Sequence, residues 1–237
     1  MKLPRGFLAA GVRAGIRKKD SADLAVIVVE AGANAAAVFT QNRFQAAPVV
    51  LSRAALEKSR GRVRAVVVNA GCANAITGDE GMDAARRVRS RAAELFACAE
   101  HEVFLASTGV IGVVLPDEKV RAALPDAKAR LSPSGLDAVS QAILTTDVGP
   151  KVSRTSVTVQ GQRVQIVGFA KGAGMIHPNM ATMLAFVMTD AAATPEFLAR
   201  SLKKAVAKSF NAVSVDGDTS TNDTVLLLAS GAAGGAT

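Results

Sequence analysis

The chain has 237 residues, 49% of them hydrophobic and 20% charged, with a formal net charge of +8. Such a chain can bury one generous core or two small ones. It has no apolar run near the roughly 18 residues a membrane-spanning helix requires, and the apolar centre of MKLPRGFLAAGVR, closed by Arg13, is too short for a signal peptide, so a cytoplasmic location without membrane contact is expected.

The basic clusters at 17–19, 60–64 and 86–91 are scattered, and the chain contains neither Trp nor Tyr to stack on bases. No nucleic acid is therefore expected as a partner, while a basic surface favours anionic small substrates. Cys72, Cys98, His101 and His177 are the only cysteines and histidines. Their spacing fits neither a zinc site nor a disulfide framework, so no metal is expected.

In chain order, LAVIVVE (24–30), AAVFT (36–40) and VRAVVVN (63–69) are β-branched runs bounded by Gly, Asn and Asp, and predict three strands. The stretch 79–99 has helical composition and an acidic start, and HEVFLASTG reads as a short strand running into a glycine turn. Helices are predicted at 116–124 and at 132–146, the latter with Ser132 as N-cap and Pro133 in the first turn. TSVTV and RVQIV alternate with period two around Gly161, which predicts a hairpin. An apolar strand opens at Thr182, a helix covers 194–210, and TVLLLAS (224–230) is a final strand. The class is α/β or α+β, with no internal repeat.

Thr182 is the residue with the clearest chemical promise. It stands between GFAKGAGMIHPNMA, a loop punctuated by glycine and proline, and the apolar run MLAFVMT. A threonine hydroxyl becomes a useful nucleophile when a base adjoins it, and its own α-amine serves once the preceding peptide breaks. Gly172 and Gly174 permit unusual backbone, and Pro178 fixes its own φ and biases His177 to extended shapes. Such a loop can hold the Ala181 carbonyl near the Thr182 hydroxyl, whose attack gives an ester that water cleaves. The released amine, with a reference pKa near about 8, suits general-base work. LASTGVIG (105–112) offers oxyanion donors in the Thr108 hydroxyl and the Gly109 amide, on a turn after a strand. Two further features carry less. Asp216, Asp218 and Ser220 alternate as in a calcium loop, but Thr221 and Leu227 stand where the turn glycine and the bidentate glutamate belong. His177 as general base lacks an orienting carboxylate nearby in sequence.

KGAGMIHPNMATMLAFVMTD resembles the autoprocessing segment of the glutamate N-acetyltransferase, or ornithine acetyltransferase, family. Related motifs are GFLAAGVRAGI (6–16), VFTQNRFQAAPV (38–49), NAGCANAITG (69–78), ASTGVIG (106–112), AILTTD (142–147) and VDGDTSTNDTVLLLASG (215–231). The resemblance implies a layered α/β sandwich with an N-terminal-nucleophile-like site. It implies an α-chain of residues 1–181 and a β-chain beginning at 182, self-cleaved between Ala181 and Thr182. By the same resemblance Thr182 is the nucleophile, Thr108 and Gly109 form the oxyanion pair, and Thr145 and Lys171 contact substrate. A lysine there can bind a carboxylate and help keep a neighbouring amine unprotonated. The implied reaction is ping-pong acetyl transfer from N2-acetylornithine to glutamate in arginine biosynthesis, without a cofactor, with acetyl-CoA a further donor in some members and an α2β2 assembly of the two chains. Family chains run well past position 237, so a C-terminally truncated chain is expected, lacking part of the substrate site. Cys72 and Gly149 depart from the usual residues. Two alternatives stay open: an amidohydrolase or aminopeptidase using the same nucleophile, and a fragment that turns nothing over.

Overall fold

Leu24–Phe39 forms one strand of 16 residues, β2, and it organises the molecule. In the computed structural model, which describes residues 1–175 and 183–234, β2 joins a sheet of eight strands. The first half of β2 pairs antiparallel with β1 (Phe7–Val12), and its second half pairs with β8 (Thr224–Ala229). Along its other edge runs β3 (Arg62–Cys72), whose register shifts between Val28 and Ala33. Gly32, at φ +77°, sits inside that bulge. Between those pairs β2 advances from 28 to 33 while β3 advances only from 65 to 63, and such extra residues on one side bend the strand and increase its twist. The two runs expected as separate strands, 24–30 and 36–40, are thus the two arms of one bent strand. Glu30–Gly32 looks like a turn in sequence because a bulge uses the same residues as a turn.

The remaining order is β4 (Val103–Val110) outside β3, with β7 (Leu184–Thr189), β6 (Gln162–Lys171) and β5 (Lys151–Val159) following β8. The bend brings the arms face to face. Phe39, at the end of β2, stacks on Phe104 of β4 with ring centroids 5.9 Å apart. One buried cluster joins Val66 and Val68 of β3 to Phe169, Phe186 and Leu226 of the other arm. Helix α4 (Leu136–Ala142) supplies Leu136 and Val139 to this inner core, and α1 (Ala47–Lys58) supplies Val49. Two outer clusters lie apart from it. In one, α2 (Gly78–Phe96) and α3 (Asp117–Ala129) pack Val88, Phe96 and Leu124 on β2–β4. In the other, α5 (Pro195–Lys208) packs Leu198, Leu202 and Val206 over the second half of β2, in a cluster with residues of β7 and β8. The layers run helix, sheet, sheet, helix, which is the expected α/β sandwich.

Several ends differ from the sequence expectation. Ser132 does not cap a helix. Its backbone exchanges both hydrogen bonds with Ala9 at 3.0 Å, its hydroxyl accepts from Ser134, and α4 starts only after Gly135. Here pairing with β1 outweighs capping. Helix α2 stops at Phe96 because Ala97 turns left-handed and Cys98 N–H bonds back to the Ala93 carbonyl at 3.0 Å. Helix α3 runs through Pro125 to Ala129. The hairpin turns at Gln160–Gly161, both at positive φ, as a two-residue turn matching strand twist requires. Thr194 caps α5, its hydroxyl accepting from Phe197 N–H at 3.3 Å. Strands β7 and β8, both after position 182, are interior to the sheet, so those residues are integral to its core. Among the described residues no helix is long and apolar enough to cross a membrane.

Candidate active site

The carboxyl ends of β3, β4 and β6 and the starts of β7 and β8 meet at one cavity of about 650 Å³. Thr108, Gly109, Thr145 and Lys171, far apart in sequence, all line it. Ala181 and Thr182 lie outside the described residues, as do His177 and Pro178. The residue after Thr182 is described: Met183 is buried at the mouth of β7 and donates its N–H to Asp223 Oδ1 at 3.1 Å.

Thr108 and Gly109 sit on the last residues of β4 itself, not on a turn after it. Opposite them the parallel ladder with β3 is irregular around Gly71 and Cys72. Gly109 has φ +133°, and a Cβ there would stand 2.3 Å from the Gly71 carbonyl carbon. Only glycine fits, so the backbone turns its edge to the cavity where a side chain would otherwise stand. Below this point Asn69 stitches the floor: its Nδ2 donates to the Cys72 carbonyl at 2.8 Å, and its Oδ1 accepts from the Ser107 hydroxyl at 2.5 Å. Asn222 adds two bonds from the β8 side, to the carbonyls of Ala73 at 2.7 Å and Ser107 at 2.9 Å. The oxyanion candidates are therefore held from both arms of the sheet.

Lys171 is 5% exposed, and its Nζ lies 3.1 Å from Thr108 Oγ1, to which it donates. Burial lowers its pKa, against Asp147 and Asp223, which favour the charged form, while nearby Lys151 disfavours it. Asp147 follows the two threonines of TTD. Burial pushes its carboxyl up, but the Lys151 ion pair at 2.5 Å, the Gly172 N–H at 2.8 Å and Lys171 outweigh this, and it stays below the usual range. Thr145 is half-buried on the cavity wall, two residues from that anchor. The carbonyl before it, Leu144, accepts from Arg17 Nη1 at 2.6 Å. Arg17 is set by Asp23, which is fully buried and accepts the amides of Ile16 at 2.7 Å and Arg17 at 2.9 Å. Among the described residues, Arg17, Lys18 and Lys171 are the charged members of the lining, which makes the cavity electropositive. It suits a ligand with carboxylates.

The loop leading toward position 182 shows strain at a residue that has a side chain. Met175 takes φ +59° and donates its N–H to Asp216 Oδ2 at 2.6 Å. A bulky side chain avoids that region, so Asp216 holds an uncommon backbone here. Asp216 Oδ1 also accepts from Asp218 N–H at 3.3 Å, so both its oxygens serve loop structure. The Cys72 thiol, raised by burial and donating to the Val113 carbonyl at 3.2 Å, is a packed thiol and not a nucleophile. A Cβ at Gly149 would meet nothing within 4 Å, so glycine there leaves the site's packing unaltered.

Asn222, Asp223, Asp147 and Arg17 escaped the sequence reading. Three of them lay inside the quoted motifs STNDT and TTD. Comparing the first with a calcium loop directed attention to Asp216 and Asp218 instead.

Compared with known proteins, the sequence matches the ArgJ family over residues 8–237. The chain belongs to the ArgJ family. The arginine biosynthesis bifunctional protein ArgJ of Geobacter sulfurreducens is 51% identical over 231 residues, covering 97% of this chain and 58% of that protein. The ArgJ of Thermotoga neapolitana is 46% identical over 236 residues, with 59% of its length covered. The chain thus spans somewhat under three fifths of the length of these relatives. Among solved structures, ArgJ of Bacillus halodurans aligns with a TM-score of 0.69 at 39% identity, over 76% of this chain and 96% of that one. Ornithine acetyltransferase of Mycobacterium tuberculosis, in complex with ornithine, aligns at 0.65 with 34% identity, over 74% and 93%. An aminopeptidase from Ochrobactrum anthropi, described as a variant of the Ntn hydrolase fold, aligns at 0.58 over 96% of this chain with 12% identity. That last likeness concerns the fold alone.

Proposed function

We propose that this ArgJ-family chain is an acetyltransferase that moves the acetyl group of N2-acetylornithine to glutamate through an ester on Thr182. The observation carrying most weight is the cavity in which Lys171 reaches Thr108 at 3.1 Å beside the Gly109 backbone. Met183, the residue after the proposed nucleophile, has its amide fixed by Asp223. After cleavage of the Ala181–Thr182 bond, the Thr182 amine takes the hydroxyl proton as oxygen attacks the acetyl carbonyl. The Thr108 hydroxyl and Gly109 N–H stabilise the resulting oxyanion, and ornithine leaves as the amine. Glutamate then attacks the acetyl ester, its carboxylates drawn by Lys171, Arg17 and Lys18. Thr145 contacts substrate from the wall. Acetyl-CoA enters the same scheme as another acetyl donor, and the two chains remain paired in an α2β2 assembly.

Thr182→Ala tests the reading. Mass spectrometry of the wild-type chain should find a product beginning at Thr182, whereas the variant should stay one chain and form no N-acetylglutamate. Release of free acetate instead of N-acetylglutamate by the wild type would indicate a hydrolase. Equal transfer by the variant would end the proposal.

A further inference from the structure

The chemistry above gives Asp223 only a backbone contact, yet its carboxyl is almost wholly buried, 1% exposed. Its Oδ1 accepts the Met183 amide at 3.1 Å, while its Oδ2 is buried and makes no regular hydrogen bond among the described residues, although the Ser220 hydroxyl and amide act on the carboxyl. The backbone around it is fixed: Thr40 N–H donates to its carbonyl at 2.8 Å, and Thr224 N–H donates to the Met183 carbonyl at 3.0 Å. A neutral asparagine would hold the Met183 amide equally well without burying an acid, and an acid left half-unpaired is costly to bury. Backbone support therefore does not account for a carboxyl at this position.

We propose that Asp223 is a positioning residue of the acyl-transfer site, its carboxyl acting on the Lys171 ammonium that donates to Thr108 while also tying down the residue that follows the nucleophile. This rests on the acyl-transfer reading. Burial pushes the Asp223 carboxyl up to about 7, against the Ser220 hydroxyl, the Met183 amide and Lys171, all of which favour the charged form. The ladders set Lys171 of β6 opposite Leu184 of β7 and Leu184 opposite Thr224 of β8, which brings Lys171 and Asp223 to the same end of the sheet, where Asp147 from the loop before β5 and Lys151 on β5 also act on Lys171. Arg17 and Lys18 complete the charges on the cavity wall. A carboxyl and an ammonium so placed titrate as a pair. The charge of Asp223 adds to that of Asp147 in holding the proton on Lys171 against burial, and so supports its bond to Thr108.

Asp223→Asn separates the two roles, because the amide oxygen still accepts from Met183 while the charge is gone. In the 237-residue chain, the Lys171 side chain can be followed by NMR across a pH titration. Its midpoint should fall by about one unit in D223N, as loss of an opposite charge requires. Under acetyl-transfer assay, kcat should drop about tenfold with KM for glutamate little changed, and the neutral limb of the pH profile should move. Asp223→Ala, losing both contacts, should fall further. An identical Lys171 titration in D223N and wild type would overturn the proposal. Should D223N not fold, the wild-type Lys171 signal must still show a second inflection where the Asp223 carboxyl titrates, and a single inflection would overturn it equally. A wild-type chain without transfer activity would count against the acyl-transfer reading, while the Lys171 titration would still decide the role of Asp223.

Discussion

Adding one methyl group at Gly109 would damage the site more than most larger changes elsewhere. The new Cβ would stand 2.3 Å from backbone, at a φ of +133°. Gly109→Ala should lose about 100-fold or more in kcat, comparable to deleting an oxyanion donor, and about 1–3 kcal/mol of stability. Urea unfolding beside steady-state kinetics checks both. Asp223 gives a second prediction at this scale. Its folded-state pKa of about 7 lies above the unfolded value of 3.8, so the folded chain binds this proton more tightly. Its contribution to stability is therefore greatest below pH 4, declines as pH rises toward 7, and is level beyond that. The opposite holds for Asp147, which is lowered and contributes less as pH falls below 3.8. Urea midpoints for D223N should decline less between about pH 4 and 7 than those of wild type. A parallel decline would contradict the assignment.

Asn222 carries the corresponding lesson for elements. It stands just before β8 and bonds two carbonyls at the end of the β3–β4 pair, so it links the arms that the bend in β2 brings together. Asn222→Ala would leave both buried carbonyls short of a donor, at a cost of about 2–4 kcal/mol. Denaturant midpoints should show it, and activity should fall with the loosened oxyanion strand. Elements of this sheet were readable in sequence wherever local pattern and tertiary demand agreed. The Gly161 hairpin and α5 behave so, the first having a two-residue turn and the second having Thr194 ahead of Pro195. Helix α1 did not, because Pro48 and Val49 read as the end of a motif and not as a helix start. Nor did the unity of β2, since Gly32 is used in a bulge that only pairing with β3 defines. Among site residues, Thr108 and Gly109 were legible as oxyanion donors in LASTGVIG, Thr145 and Lys171 only through motif resemblance, and the fold brings those four to one cavity. Asp223 has a meaning only through Met183 and Lys171, partners that no local window contains.

For the molecule as a whole, two sheet arms folded face to face place one electropositive cavity at the strand ends and leave α2, α3 and α5 on the outside. A cavity lined by Arg17, Lys18 and Lys171 should draw a dicarboxylate by charge. Raising the ionic strength should therefore increase KM for glutamate more than kcat changes, as screening predicts. The same architecture occurs in ArgJ of Bacillus halodurans at a TM-score of 0.69 and, as fold alone, in an aminopeptidase at 0.58, so the scaffold does not fix the acceptor. The most direct measurement mixes the chain with labelled N2-acetylornithine without glutamate, maps the label by peptide mass, and then adds glutamate. The label should appear on the Thr182 hydroxyl and leave as N-acetylglutamate. Label on another residue, or no covalent label during active turnover, would contradict a Thr182 acyl-enzyme.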